Sequence, residues 1–469
     1  MTLLHRLARA IAISLAVSLS PALALGEQAP SQQYIVVPQS SINPKTILIP
    51  TSVTYQTLSG DFFRQDDGTM YVQTGDIPAM WLRDSSAQTK TYVRFVQEFP
   101  KAAPLVRAVI ERNAKNVLTD PYANAFTAGY KIWEEKWEVD SLAYPVTLAY
   151  TYWRLTGDRA MFTERLHWAL EHSVSTLVCE QHHATCSRYR SRFLTSGRGA
   201  DFMYTGMIWS AFRPSDDPVR YPYNIPQNMF TVVALRELAE LVAQGYGDAK
   251  LAQQAAALAD QVDNGIQRYG RVYNVTYGWM YAYEVDGMGH TLFMDDANVP
   301  DLIAATYFGY VTRRDPFYAN TRRFALSKDN PYFYSGKLAA GLGSPHTPTG
   351  YIWPLGVATQ GLTAQSPAET AQAIRIETLT MHTGALFHES FDPDDPDRFT
   401  RTSFGWADAM FAELIFRSAA GFDADPLPPI PGMSFENPAS ETPVVVDPPQ
   451  LWLNRAACFD AAARVLQQS

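Results

Sequence analysis

Residues 134–155 read EEKWEVDSLAYPVTLAYTYWRL. The opening EEKWEVDSLAYP sets carboxylates beside an aromatic residue, and from residue 141 onward apolar residues fall at three-and-four spacing, the period of a helix with one buried face. A polar, aromatic segment thus runs directly into an amphipathic helix. The same periodicity marks residues 104–118, 160–178, 227–243, 249–269, 300–310, 368–382 and 406–417. Start signals stand ahead of two of these, Asp158 before 160–178 and Ser366-Pro367 before 368–382. Strands are scarce; alternating Tyr, Val and Trp over 270–291 predict a short hairpin.

Five more segments repeat the mixture that opens at Glu134. They are GDIPAMWLRDSSAQ from Gly75, which reads as loop-like, WSAFRPSDDP from Trp209 with YPYNIPQN behind it, FMDDANVPD from Phe293, GSPHTPTGYIWPLG from Gly343, and HESF from His388 with FTRTSFGWAD from Phe399. Each combines aromatic residues or Pro with carboxylate, Arg, His or Asn, and most lie beside a predicted helix end. Loops carry function when a rigid scaffold positions them. Six loops converging at one end of a helical ring would build a deep pocket, so the expected fold is all-α, an (α/α)6 barrel or toroid of six inner and six outer helices with minor β-hairpin insertions. No boundary interrupts the middle of the chain, which predicts a single domain over 27–469.

The residue types suit a sugar. A hexose has an apolar face that stacks on an aromatic ring and hydroxyls that take bidentate hydrogen bonds from Asp and Arg. Asp76, Trp81, Arg83 and Asp84 in the first segment fit that pattern, and Asp140, Arg213, Asp295, Asp296 and Trp406 supply the same chemistry in the others. A buried ion pair beside a core Trp explains one such cluster equally well; its recurrence favours a binding site.

Composition narrows the partners. The chain has 469 residues, 46% hydrophobic and 18% charged, enough for a large core. Its net charge of -9, with no run of Lys or Arg, argues against a nucleic-acid partner, which needs a basic face. An aromatic content of 13% suits a ligand with flat faces, although large cores also use aromatic rings. Residues 1–26 have the form of an export signal: His5, Arg6 and Arg9, an apolar core over 10–19, then Ala22-Leu23-Ala24. That core is shorter than the ~20 residues of a membrane span, and nothing later is a candidate, so a secreted protein is expected. Cys179 and Cys186 bracket EQHHAT, placed for a local disulfide or, less readily, a zinc site; Cys458 is left over. Asn274-Val275-Thr276 is a glycosylation sequon, meaningful only in a eukaryotic secretory pathway. Residues 421–450 are Pro-rich and predict a surface wrap before a last helix over 454–468.

Cleaving a glycosidic bond requires one carboxyl to protonate the leaving oxygen and another as base or nucleophile. Asp216 and Asp217 stand side by side, and like-charge proximity raises the pKa of one carboxyl, as a general acid requires. Glu389, between His388 and Ser390, is the other candidate. Asp295 and Asp296 read as helix-capping or substrate contacts ahead of catalysis. The nine His residues show no HExxH, the acidic pairs lack calcium-loop spacing, and no phosphate or dinucleotide fingerprint is present. A hydrolase with no metal and no cofactor is the reading that remains.

Taken together, GDIPAMWLRDS, KWEVDSLAYP, WSAFRPSDD with IPQNMF, MDDANVPD, GSPHTPTGYIWPLG and HESF with FGWAD resemble glycoside hydrolase family 125, the metal-independent exo-α-1,6-mannosidases. The resemblance spans roughly residues 75–406 and implies an (α/α)6 fold, an α-mannoside oligosaccharide substrate such as a mannan or N-glycan, and inversion of configuration. It also implies that an Asp of RPSDD is the general acid and Glu389 the general base, with Asp216 favoured as acid and Asp217 as its orienting neighbour. Arg83, Asp84, Asn228, Asp296, His346, Trp353 and Arg401 would then grip the terminal mannose. The rival readings are another (α/α)6 glycosidase or lyase, acting on α-glucosides or uronates, and a non-catalytic sugar-binding protein.

Overall fold

A computed structural model describes residues 60–93, 96, 100–381 and 386–420. The export segment, the Pro-rich stretch, the helix expected over 454–468 and Cys458 lie outside these residues.

An inner ring of six elements can be followed around the barrel. The helix Leu82–Val93 packs on Asp140–Thr156, which packs on Ile225–Tyr246. The ring continues through the 3-10 helix Ile303–Thr306, then Pro354–Leu362 and Gly405–Ala420, and the last closes back on Leu82–Val93. Outside it, among the described residues, lie Ala103–Thr119, Glu164–Gln181, Ala249–Gly265, Pro316–Ala325 and Pro367–Thr380, each laid against the ring or its neighbour. This is the (α/α)6 architecture. The sheets are small antiparallel pairs and triplets at the loops; the expected hairpin pairs Arg271–Asn274 with Gly278–Tyr281 and sets Tyr273 opposite Trp279.

The first inner helix corrects the loop-like reading of residues 75–88. Only the part up to strand Met80–Trp81 is loop and strand; Leu82–Val93 is helical, with every residue but Lys90 buried. Its Ser, Thr and Gln side chains leave no apolar stripe to betray a helix, because they form hydrogen bonds inside the barrel. Thr89 Oγ1 donates to the Ser85 carbonyl at 2.6 Å, Ser85 Oγ to Asn113 at 3.2 Å, and Gln88 Nε2 to Asp61 at 3.2 Å. Buried polar groups so paired replace the usual hydrophobic face.

The fourth inner element also departs from expectation. In place of a helix over 300–310 there is one short 3-10 turn. The Asp295 carboxylate takes the backbone N–H groups of Leu302 and Ile303 at 2.9 and 3.1 Å, Asp301 takes that of Ala304 at 2.7 Å, and Gly309 ends the segment at a φ of 85°. The carboxylates cap the first N–H groups, and Gly309 in the left-handed region stops the segment before a regular helix develops. Pro316–Ala325 and Pro354–Leu362 are helices that the periodicity did not reveal; the second has only nine residues, two of them Gly. Asp158 caps its own turn, Arg159–Met161, and the long helix behind it begins at Glu164 under a Thr163 cap.

Much of the aromatic content is core: Trp137, Trp209, Trp353 and Trp406 are fully buried. Cys179 and Cys186 are joined in a disulfide, and the His183 between them stacks on Trp209 and pairs with Glu180 at 2.6 Å. Of the two histidines there, His183 is held by core contacts and His182 stacks on Tyr204, and the two sulfurs are bonded to each other.

Candidate active site

The repeated segments arrive where inner helices begin. Arg83 and Asp84 occupy the first turn of Leu82–Val93, Asp140 opens Asp140–Thr156, Gln227 lies in the first turn of Ile225–Tyr246, Trp353 precedes Pro354–Leu362, and Trp406 begins Gly405–Ala420. Helix N-termini carry a partial positive charge and unpaired N–H groups, which suits a site rich in carboxylates.

Arg83 is the hub of that site. Its Nη1 donates to Glu138 at 2.6 Å and to Asp140 at 3.3 Å, its Nη2 to Asp216 at 3.0 Å, and its Nε stands 3.5 Å from Asp84. The guanidinium also lies over the Trp406 ring at 5.9 Å. Asp140 is held on its other oxygen by Gln227 Nε2 at 2.7 Å. Burial pushes the Asp84 carboxyl up to about 6, against the pull of Arg83 and with help from the charge of Asp216. Burial also favours the neutral Asp216, but a hydrogen bond with Glu138 and the charges of Arg83, Lys136 and His346 outweigh it and hold its carboxyl well below the usual range.

Glu389 enters from the opposite side on the loop ahead of the last inner helix. It is buried, accepts from Thr400 Oγ1 at 3.0 Å and faces Arg401 Nη1 at 3.6 Å. Arg401 in turn holds Asp76 at 2.8 Å and the Thr74 carbonyl at 2.7 Å, fastening the first segment to the last. Gly75 makes that closure possible: a Cβ there, at a φ of 56°, would stand 2.3 Å from the Ser403 carbonyl oxygen. Only four described non-glycine residues have positive φ, and Asp216 and Arg401 are two of them, as expected where function holds a backbone in a sparsely populated region.

His346 connects the two sides. Its Nδ1 is 3.7 Å from Asp217, and hydrogen bonding to Asp217, then the charges of Asp216, Asp217 and Glu389, raise its pKa against burial. Asp217 also accepts from Ser215 Oγ at 2.8 Å and remains partly exposed. Asp296 accepts from the Asn298 N–H at 3.0 Å and from Tyr283 Oη at 3.3 Å; burial pushes it up to about 7, and the charge of Asp217 adds to the rise. Arg213 is bound to Glu284 at 2.6 Å and lies over Tyr283.

Several candidates from the sequence are occupied by scaffold contacts. Asn228 donates to the carbonyls of Ile208 and Asn224 and accepts from the Ile208 N–H at 2.7 Å, so its amide braces the RPSDD approach. Asp295 spends both oxygens capping the 3-10 turn. Trp353 donates to Thr347 and sets its edge on Phe404. By contrast, Trp81 Nε1 and Trp406 Nε1 are buried without a hydrogen-bond partner among the described residues, and Asp84 Oδ2 has only the Arg83 guanidinium beside it. Sequence reading missed Glu138, Asn124 and Lys136 as members of the site. Glu138 stood inside the segment from Glu134, two residues before Asp140, and only its complete burial against Arg83 distinguishes it.

A helical barrel with aromatic rings and carboxyls converging at the inner-helix N-termini is a frame shared by glycoside hydrolases. A bacterial glucoamylase complexed with acarbose has the same fold, at a TM-score of 0.51 and 15% identity over 79% of this chain and 55% of its own. The sequence narrows this class. The chain belongs to the metal-independent alpha-mannosidase family (GH125), whose model matches residues 44–132 and 127–416. A metal-independent alpha mannosidase of Streptococcus pneumoniae, in a non-productive substrate complex with alpha-1,6-mannobiose, superimposes at a TM-score of 0.78 with 39% identity, covering 80% of this chain and 94% of that one. The meiotically up-regulated gene 157 protein of Schizosaccharomyces pombe is 35% identical over 385 residues, 73% of this chain and 75% of the relative.

Proposed function

We propose that this chain is an exo-acting α-1,6-mannosidase that removes terminal mannose from mannan or N-glycan-type oligosaccharides by one inverting displacement. The observation that carries the reading is that RPSDD and HESF, far apart in sequence, both bring carboxyls to the inner-helix N-termini, Asp216 on Arg83 at 3.0 Å with Asp217 beside His346 at 3.7 Å, and Glu389 buried beside Arg401. An inverting enzyme needs an acid and a base about 6.5–9.5 Å apart with a water between base and anomeric carbon. Glu389 takes the proton of that water, and Asp216 protonates the departing oxygen. Asp217 orients His346. Trp81 and Trp406 offer indole N–H groups without a hydrogen-bond partner among the described residues, while Asp76 and Arg401 close the pocket behind Glu389. The likeness to the pneumococcal enzyme supports the α-1,6 linkage.

A second assignment exchanges the two aspartates. Asp217 is the more open of the pair and stands beside His346, which favours it as the acid in direct contact with the leaving sugar. Fluoride-leaving substrates separate the two, as described below. Export through residues 1–26 belongs to the same proposal, and a disulfide suits an oxidising compartment; N-terminal sequencing of the exported protein tests it, with a start near residues 25–27 expected and an intact Met1 contradicting it.

Incubation with α-1,6-mannobiose tests the activity. Mannose release that survives EDTA is expected. Intact mannobiose in the presence of folded protein that binds mannose would make this a sugar-binding protein, and activity abolished by EDTA would contradict a metal-free reaction.

A further inference from the structure

Arg83 is surrounded by more negative charge than it can balance. Four carboxyls, those of Asp84, Glu138, Asp140 and Asp216, lie within 3.5 Å of one guanidinium. The next cation is Lys136, and its ammonium is already held by Glu134 at 2.8 Å. Buried carboxylates in such excess are too costly to keep ionised, so protons must stay in the cluster. Donor geometry says where. Asp140 receives N–H donors on both oxygens, from Gln227 and from Arg83, and so is an acceptor on each side. Glu138 takes Arg83 at 2.6 Å and Ser141 Oγ at 3.2 Å on Oε2, but among the described residues its Oε1 has only the Asn124 amide as donor, at 3.5 Å; Asp216, whose Oδ1 takes Arg83 at 3.0 Å and the same amide at 3.5 Å, meets it side chain to side chain. Two carboxyls in hydrogen-bond contact need a proton between them.

We propose that Glu138 and Asp216 share one proton and that Glu138 stores it for Asp216, which passes it to the departing sugar oxygen. This rests on the reading of Asp216 as the general acid. Glu138 does not reach substrate; it is a positioning residue acting through its neighbour. The direction of the shifts agrees. Burial and then the nearby Asp216 charge push Glu138 well above the carboxyl range, despite Arg83, while Asp216 is held low. Alone, Asp216 would rest as a carboxylate with no proton to give at neutral pH. Its φ of 64°, a region Asp tolerates better than most residues, places its Oδ1 on Arg83 while the side chain keeps an exposed edge. The groups facing the pair are Arg83 and Asp84 from the first inner helix, Asn124, Glu134 and Lys136 from the adjoining strands and loop, Asp140, and Asp217 with His346 across the pocket.

The step balances. The glycosidic C1–O bond breaks, and the leaving oxygen takes a proton from Asp216. That proton is the one shared with Glu138, drawn through Asp216, so both carboxyls are left ionised. On the other face, water forms the new C1–O bond and gives its proton to Glu389. After the products leave, Glu389 loses that proton to solvent and the Glu138–Asp216 pair regains one.

The test compares wild type, Glu138→Gln, Asp216→Asn and Asp217→Asn on α-1,6-mannobiose and on α-mannosyl fluoride, whose leaving group needs no proton. Glu138→Gln and Asp216→Asn should each lose about 100-fold or more in kcat on mannobiose, within the range for general acid catalysis, yet stay within about tenfold of wild type on the fluoride. In Glu138→Gln the alkaline limb of kcat/KM should also move to lower pH, because Asp216 no longer shares a proton. Full mannobiose activity in Glu138→Gln, or equal loss on both substrates, overturns the role of Glu138 while Asp216→Asn still reports on the acid. Rescue of Asp217→Asn by fluoride without rescue of Asp216→Asn overturns the acid assignment and this proposal with it. If Glu138→Gln does not fold, Glu138→Asp, which keeps a carboxyl but withdraws it, decides: loss on mannobiose with the fluoride rate kept supports the relay, and equal loss on both substrates, or none on either, refutes it.

Discussion

Asp296 offers a test of the site's electrostatics that does not depend on turnover. It is completely buried, accepts hydrogen bonds from Asn298 N–H and Tyr283 Oη, and has its pKa pushed from an ordinary 3.8 up to about 7, burial being the largest cause. Replacing it with Asn keeps the shape and the acceptor for Asn298 and removes the charge. The sign follows from linkage. A folded-state pKa above the unfolded one means that stability from the protonated form is fully present below about pH 4 and is lost as pH rises through about 7. The gap from 3.8 to about 7, at roughly 1.4 kcal/mol per pH unit, sets an upper value of about 4 kcal/mol for that loss. Local relaxation reduces it to about 2–4 kcal/mol. Urea unfolding of wild type and Asp296→Asn from pH 4 to pH 8.5 should therefore show similar stability at the acid end and a variant more stable by about that amount above pH 7. A difference independent of pH, or a variant less stable at pH 8, would refute the reasoning that Asp296 is ionised at a cost.

Two further substitutions probe the frame. Arg83→Leu strands the carboxyls it holds and should destabilise the fold by about 3–5 kcal/mol in urea unfolding, while a change below about 1 kcal/mol would mean that protons rather than Arg83 carry the balance. Cys179→Ser opens a disulfide that closes a short loop, a separation of 7 residues, and should lower stability by about 2–3 kcal/mol, with reductant having the same effect on wild type and none on the variant. Equal thermal unfolding with and without reductant would remove the disulfide from the stability of this segment.

What could be read from sequence follows from where each element's polarity points. The outer helices other than Pro316–Ala325, and the longer inner ones, show an apolar face to the ring and are legible, as residues 104–118 and 227–243 illustrate against Ala103–Thr119 and Ile225–Tyr246. Leu82–Val93 was not, because it is enclosed on nearly every side and meets its neighbours through hydroxyls and amides. The turn at Ile303–Thr306 was hidden because its apolar spacing is that of a helix, while Gly309 in the left-handed region ends it early. Residue type pointed to the site but not to each residue's task. Asn228 carries the expected amide and uses it on backbone, whereas Glu138, unremarked among neighbouring carboxylates, sits against Arg83. Only three-dimensional packing separates an acid that caps a turn from one that shares a proton.

The most direct measurement of the central claim is proton NMR of the first mannose released from an α-1,6-linked substrate, recorded before the anomers equilibrate. A single displacement with Glu389 as base predicts β-mannose first, and release slowed by about 1,000-fold or more in Glu389→Gln. α-Mannose as the first product, or undiminished release from Glu389→Gln, would contradict it.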